Sequence, residues 1–205
     1  YSASLDFGKG TSELLSIGKP AQEFSRSFLH TQALLRGSKY LYIDSGNFVD
    51  GASSIVPLGT SLHRPLAYSA LADLKPAALG FGLNELIAGP AHFVSEIKDL
   101  SLPYIASNWS TENSTYSFPT HLLVDITHGD QSDQVAFLSI IDPQIHQSVP
   151  TLEHEGIAIT DPVDAAQEIV NTLNSAPNPP ALIVILTTAD PPVQEALRKK
   201  LKGAH

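Results

Sequence analysis

TDPVDAAQEIVNTLNSAPNPPALIVILTT, residues 160–188, decides the fold class. Asp161 precedes Pro162, and Asp164 falls in the first turn. That is an N-cap, a proline at N1 and an acid near the positive end of the helix dipole. Val163, Ala166, Ile169, Val170 and Leu173 then recur with helical period. The prolines of 177–180 end the pattern. Residues 181–186 are all aliphatic, which predicts a strand buried on both faces, as parallel strands are. Asp190, again followed by proline, reads as the cap of a final helix. Its stripe is Val193, Leu197 and Leu201, and Arg198, Lys199, Lys200 and Lys202 sit where cations complement the dipole. A helix, a buried strand and a helix in succession are the unit of an α/β sheet covered on both faces.

Working outward, the same alternation continues. Residues 1–5 read as a short strand, 20–36 as a helix closed by Gly37, and 39–44 as a strand running into Ser45-Gly46-Asn47. Residues 53–63 read as a loop, 64–74 as a helix and 77–81 as a short buried strand. A helix over 91–100 and a strand over 103–106 follow, and 108–117 is polar enough to predict an exposed loop. Two strands, 118–127 and 134–141, flank His128-Gly129-Asp130-Gln131 and predict a hairpin. The expectation is one α/β domain over 1–205, with a largely parallel sheet and an added antiparallel piece.

Composition bounds the chemistry. The 205 residues carry 12 Lys and Arg against 21 Asp and Glu, a net charge of −9 with histidine neutral. Nucleic-acid binding needs clustered cations, so that class is excluded. There is no Cys, which removes disulfides, thiolate zinc sites, iron–sulfur clusters and thiol nucleophiles. The aliphatic run at 181–186 falls far short of the ~20 residues of a membrane span. There is no Met, and the first residue is Tyr1, so the chain is expected to be a processed or excised piece of a larger precursor or assembly.

In open α/β sheets ligands gather at the carboxyl ends of strands. Here those ends read Ser4-Leu5-Asp6-Phe7-Gly8, Asp44-Ser45-Gly46-Asn47, Gly80-Phe81-Gly82-Leu83-Asn84-Glu85, Ser107-Asn108 and Thr187-Thr188-Ala189-Asp190. Their order and spacing resemble the calcineurin-like metallophosphoesterases, in particular the N-terminal domain of 5′-nucleotidases and UDP-sugar hydrolases. That family runs Asp-x-His, Asp-x-Gly-Asp, Gly-Asn-His-Glu, Ser-Ala-Asn, a Ser/Thr-Asp-Pro helix start, a buried strand ending Ser-His, and Gly-His-x-His. Asp44–Asn47, Gly82–Glu85, Ala106–Asn108, Thr160–Pro162, Thr187–Thr188 and Gly203–His205 fall in those places. The resemblance implies a sandwich of two mixed, largely parallel sheets flanked by helices. It also implies a place outside the cytoplasm, in the periplasm, secreted or at the cell surface.

The departures carry more chemistry than the matches. The family's two metals, about 4 Å apart, activate water and clamp a phosphoryl group. Asn47 stands where the bridging carboxylate would be, and a neutral amide cannot bridge two cations. Leu83 and Asn84 replace the Asn ligand and the catalytic His. Ser4 and Asp6 lie where the first Asp and His belong, and Thr188 stands near the Ser-His histidine. Only Asp6, Glu85 and His205 keep ligand chemistry, and with Asn47 they form the most that a metal site could use. Ser4, Asp6, Asp44, Asn47, Asn84, Glu85, Asn108 and Thr188 are the candidates for lining a binding cleft. The resemblance, so altered, implies a catalytically silent domain with a structural, binding or partner-docking role and no cofactor. Its partner would be another protein or a neighbouring domain of the same precursor. The alternative is an active phosphoesterase using Mn, Zn, Mg or Ca on a phosphate-ester ligand, with an unusual centre.

Other motifs have plainer readings. Gly80-x-Gly82 lacks the third glycine of a dinucleotide loop, since Glu85 stands there and would repel a pyrophosphate. Glu153-His154-Glu155 and the His128/Asp130 pair read as solvated loop residues. Asp44 reads as a structural acceptor for the turn that follows it. Asn108-Trp109-Ser110 and Asn113-Ser114-Thr115 are glycosylation triplets in a stretch expected to be exposed. Trp109, the one tryptophan, reads as a cap on the core.

Overall fold

The computed structural model describes residues 41–48, 63–112, 114–128 and 131–204. The chain divides into two compact units, and the described residues, Leu41 aside, belong to the one comprising Tyr42–Ala52 and Ser61–His205. The expected strand at 1–5 and helix at 20–36 lie outside the described residues.

Strand β1 (Ile43–Asp44) pairs in parallel with β2 (Ala78–Leu79). Helix α1 (His63–Asp73) leads into β2, and the short α2 (Leu83–Leu86) and α3 (Pro90–Ile97) follow it. The strand expected at 103–106 is reduced to one parallel bridge, Tyr104 to Leu79. The region expected as an exposed loop instead holds β3 (Trp109–Thr111), antiparallel to β6 (Ile157–Ile159). Alternation over three residues is too short a signal to separate such strands from loop.

The hairpin is as predicted: β4 (Leu122–His128) pairs with β5 (Gln131–Ile140), Leu122 opposite Phe137. The other edge of β5 carries β7 (Leu182–Thr187) in parallel, Val135 beside Leu182 and Ile140 beside Thr187. Between them lie α4 (Ile145–Ser148), α5 (Thr151–His154) and α6 (Pro162–Asn174), and α7 (Pro191–Lys200) follows β7. The whole is a mixed α/β arrangement of small sheets flanked by helices.

Strand β5 sits at the centre of the layering, and period-2 alternation explains how. Val135 and Phe137 face Ala78 and Ile105, so one sheet packs on the other. Ala136 and Leu138 face the opposite way, onto Val170 and Leu173 of α6. Helix α6 is fixed at its start by capping: Asp161 Oδ1 accepts the Val163 and Asp164 amides at 2.8 and 3.0 Å. Strand β7 is less buried than its aliphatic run predicts, with Leu182 38% exposed, because it is an edge of the described sheet.

Beneath β2 an aromatic cluster fixes the strand ends. Phe81 is fully buried, stacked on Trp109 at 5.6 Å and edge-on to Phe93 and Phe118 at 5.2 and 5.0 Å. Trp109 is therefore part of the core packing, as read from the sequence. Phe81 follows β2 and begins the turn that carries Gly82–Glu85, so the core and the candidate site share a residue.

Candidate functional site

Two strand-end turns face each other beyond β1 and β2. In the first, Asp44 Oδ1 accepts the Gly46 amide at 2.8 Å, the turn-structuring role expected of it. The Tyr42 hydroxyl lies 3.5 Å from Asp44 Oδ2, and burial, reinforced by that carboxylate, pushes the phenol up to about 12. Gly46 has φ +112°, and a Cβ there would stand 2.5 Å from the Gly82 nitrogen. Asn47 follows in the left-handed region, φ 61°, which asparagine tolerates better than most residues. The second turn approaches so closely that a Cβ on Gly82 would sit 2.2 Å from Asn47 Oδ1.

Glu85 closes the two turns together. Its side chain is fully buried, and its carboxylate accepts three backbone amides, those of Asn47, Phe48 and Gly82, each at 2.8 Å. Asn47 Oδ1 returns the link by accepting the Asn84 amide at 3.0 Å. Behind the turn, buried Arg64 donates to the carbonyls of Asn84 and Glu85 at 2.7 and 3.0 Å. Arg64 also donates to the Tyr68 hydroxyl at 3.1 Å and pairs through Nε with Glu96 at 3.0 Å. Burial drives the Tyr68 phenol above its ordinary range, with the Arg64 charge opposing.

The neighbouring strand end is equally occupied. Asn108 is buried; its Nδ2 donates to the Ile141 and Thr160 carbonyls at 2.8 and 3.1 Å, and its Oδ1 accepts the Ile141 amide at 2.8 Å. Ser107 Oγ donates to the Thr120 carbonyl at 2.6 Å and accepts the Ser139 amide at 2.8 Å. These are fasteners between strands, and they make Asn108 inaccessible as a glycan acceptor, contrary to the exposed stretch expected there.

A cleft of about 340 Å³ opens beside these turns. Of the sequence candidates it is lined by Asn47, Leu83 and Thr188, and Thr188 Oγ1 donates to the Phe81 carbonyl at 3.3 Å. Asp44, Asn84, Glu85 and Asn108 lie outside its lining. Ser4, Asp6 and His205 are outside the described residues. Gly203, two residues before His205, is held on α6, its carbonyl accepting from Asn174 Nδ2 at 3.1 Å.

The cleft also brings in Asp142, Gln144 and Gln147, none of which the sequence singles out as site residues, and Asp190, which the sequence puts at a strand end but reads as a helix cap. Asp142 follows β5, a strand that reads only as half of a hairpin. Asp190 reads as a helix cap, but its side chain makes no cap bond. Pro191 and Pro192 occupy the first two helical positions and have no N–H to give. The Val193 amide goes to the Asp190 carbonyl at 2.9 Å.

Among the described residues, the donor set does not make up the dinuclear centre that the resemblance implies. Among the described residues, no three His, Cys, Asp or Glu side chains stand close enough to hold one metal ion. Glu85, the one carboxylate of the Gly82–Glu85 turn, has its oxygens on the backbone amides of Asn47, Phe48 and Gly82. Among the described residues no helix is long and apolar enough to cross a membrane. The Glu153-His154-Glu155 group is in and after a short helix, where Glu155 Oε2 accepts the Ala91 amide at 3.1 Å. His128 is the last residue of β4, and Asp130 lies outside the described residues.

No protein-family model and no curated protein matches the chain. Solved structures do. The 5′-nucleotidase precursor of Thermus thermophilus superposes with a TM-score of 0.64 at 19% identity, over 85% of this chain and 33% of that one. The NAD nucleotidase of Haemophilus influenzae gives 0.66 at 15% identity, over 85% and 33%. The calcineurin-like phosphoesterase YfkN of Bacillus subtilis gives 0.54 at 18% identity, over 72% and 47%. The chain thus spans between a third and a half of the length of these proteins. At such identities the likeness is one of architecture, and the chain has the fold of the calcineurin-like phosphoesterases in the form that 5′-nucleotidases carry.

Proposed function

We propose that this domain is a catalytically silent member of the metallophosphoesterase fold that serves as a binding or docking domain within a larger, extracytoplasmic protein. The observation that supports it is the state of Glu85. Three backbone amides occupy its two oxygens, and the flanking Asn47, Leu83 and Asn84 supply no carboxylate or imidazole. Two-metal phosphoryl transfer needs ligands that bridge and surround both ions, and a general acid for the leaving group. An amide and an aliphatic side chain provide neither. In this domain hydrogen bonds join the two turns directly.

The partial coverage of its structural neighbours, one of them described as a precursor, supports a place in a longer protein outside the cytoplasm. The test of silence is metal stoichiometry. Purified full chain, incubated with Mn²⁺ and desalted, is expected to carry well under one metal per chain by mass spectrometry. Two retained metals per chain would overturn the reading.

The rival reading, an active phosphoesterase with Mn, Zn, Mg or Ca, is favoured by the nucleotidases among the neighbours. It requires Asp6 and His205 to build a site with Asn47 in place of a bridging acid.

A further inference from the structure

We propose that His146 is a proton-sensitive latch: its neutral ring ties α4, a helix that walls the cleft, to β6, and its protonated ring releases it. Strand β6 presents an amide that needs such a partner. The Thr160 amide goes to the Asn108 carbonyl at 2.8 Å, on the β3 side. Bonded and non-bonded positions alternate along an antiparallel pair, so the Ile159 amide, opposite Trp109, faces away from β3. It donates to His146 Nε2 at 3.3 Å. A ring nitrogen that accepts carries no proton, so the neutral ring bears its hydrogen on Nδ1.

Protonation places a second donor on Nε2, opposite an N–H, and the bond is lost. No carboxylate is placed to hold the charged ring: Nδ1 is buried and has no partner among the described residues. The segment before α4 brings Asp142, whose oxygens accept the Gln144 and Asp190 amides at 2.8 and 2.9 Å. Helix α5 brings Glu153 and His154, both exposed. The turn into β6 brings Glu155, which accepts the Ala91 amide at 3.1 Å. Strands β3 and β6 and the end of β5, residues 138–141, carry no charged residue.

The ring matters because of what α4 carries. Ile145, Gln147 and Ser148 line the cleft. The amides of Ile145, His146, Gln147 and Val149 go to the carbonyls of Asp142, Pro143, Gln144 and Ile145, inside the same segment. None of those four bonds ties the helix to a strand; the His146 ring does. The link is complete above the ordinary imidazole value of about 6.5 and is lost as pH falls below it. The cleft wall is therefore held at neutral pH and loosened in acid. A latch of this kind needs no metal and no turnover.

The experiment is amide hydrogen exchange of the full chain by NMR, at pH about 7.5 and about 5.0, on either side of the imidazole value, corrected for the intrinsic exchange rate. Protection of the Ile159 amide is expected to fall about five-fold in acid, the size of a single hydrogen bond. The Ile141 amide, accepted by Asn108 Oδ1 at 2.8 Å, has no titrating partner and is expected to keep its protection. His146→Gln supplies an acceptor that never titrates, and its Ile159 protection is expected to be equal at the two pH values. Ring ¹⁵N shifts of the wild-type chain are expected to show a bare Nε2 at the higher pH, a reading that does not depend on how the variant folds. Unchanged Ile159 protection in the wild-type chain, an equal fall at Ile141, an equal fall in His146→Gln, or a proton on Nε2 at the higher pH would each overturn the proposal. None of these readouts involves metal or phosphate, so the latch and catalytic silence can fail separately.

Discussion

Asn47 Oδ1 accepts the Asn84 amide at 3.0 Å, so two residues that the sequence resemblance puts at the bridging-ligand and catalytic positions are bonded to each other. The strand-end turns that metals would clamp from the cleft are joined directly. Asn47→Asp keeps an acceptor for Asn84 but sets a second carboxylate near buried Glu85. The variant is expected to lose about 1 kcal/mol of stability by like-charge repulsion, measured by urea unfolding, and to gain no Mn²⁺-dependent phosphatase activity. Activity in this single variant would show that the remaining site lies close to function.

Glu85→Gln tests the fastener itself. Glutamine has one acceptor oxygen, and its NH₂ would confront a backbone N–H where the second carboxylate oxygen accepted one. A buried donor left without a partner costs about 1–3 kcal/mol, and the charge-assisted bonds lost add to it. The midpoint of urea unfolding is expected to fall sharply. An unchanged midpoint would mean that Glu85 does not hold the turns.

Arg64→Lys removes the planar fork that reaches two carbonyls, a hydroxyl and Glu96 at once. Lysine cannot reproduce that geometry, and Glu96 loses its Nε partner. A cost of about 3 kcal/mol is expected by urea unfolding, as for a broken buried pair. A loss too small to move the unfolding midpoint would show that the carbonyls find other donors.

Asn108 lies within a glycosylation triplet, yet its amide serves three backbone groups inside the domain. Expressed through a eukaryotic secretory pathway, the folded chain is expected to carry no glycan at Asn108, by peptide mass mapping. Asn108→Asp would place an oxygen against two carbonyl oxygens and is expected to cost at least ~3 kcal/mol.

Alkaline pH offers a further check, and its sign follows from burial. Tyr104 is almost wholly buried, and that burial, before any neighbouring charge, drives its phenol far above the ordinary value; Tyr68 moves in the same direction. The folded state therefore favours the neutral phenol. Its contribution is complete below the unfolded pKa near 10 and is lost as pH rises from there toward the folded value. Stability is expected to fall above pH ~10 by up to about 1.4 kcal/mol per unit for each such phenol. Tyr104→Phe is expected to flatten that slope, and an identical slope in the variant would contradict the assignment.

Much of the architecture is legible in the sequence because period and capping agree where elements are long. Asp161, Pro162 and the Val163–Leu173 stripe define α6, and 181–186 define β7 to within one residue. Short strands are not legible: three residues of β3 or β6 carry no periodic signal, and Trp109 reads as loop although it pairs with Ile159. The site is readable as a set of substituted positions but not as a set of contacts. Nothing local in Gly82–Glu85 says that Glu85 turns back onto Asn47 and Phe48, thirty-eight and thirty-seven residues away. Asp190 misleads for a physical reason: aspartate before proline signals a cap, but a second proline removes the amide it would cap.

A silent centre shows most plainly in turnover. The full chain, loaded with Mn²⁺, would be assayed against 5′-nucleotides and p-nitrophenyl phosphate esters at enzyme concentrations high enough to detect a very slow reaction. Rates indistinguishable from metal-containing buffer are predicted, in the wild-type chain and in Asn47→Asp alike. Metal-dependent hydrolysis by the wild-type chain, abolished by chelator and restored by Mn²⁺, would contradict the account.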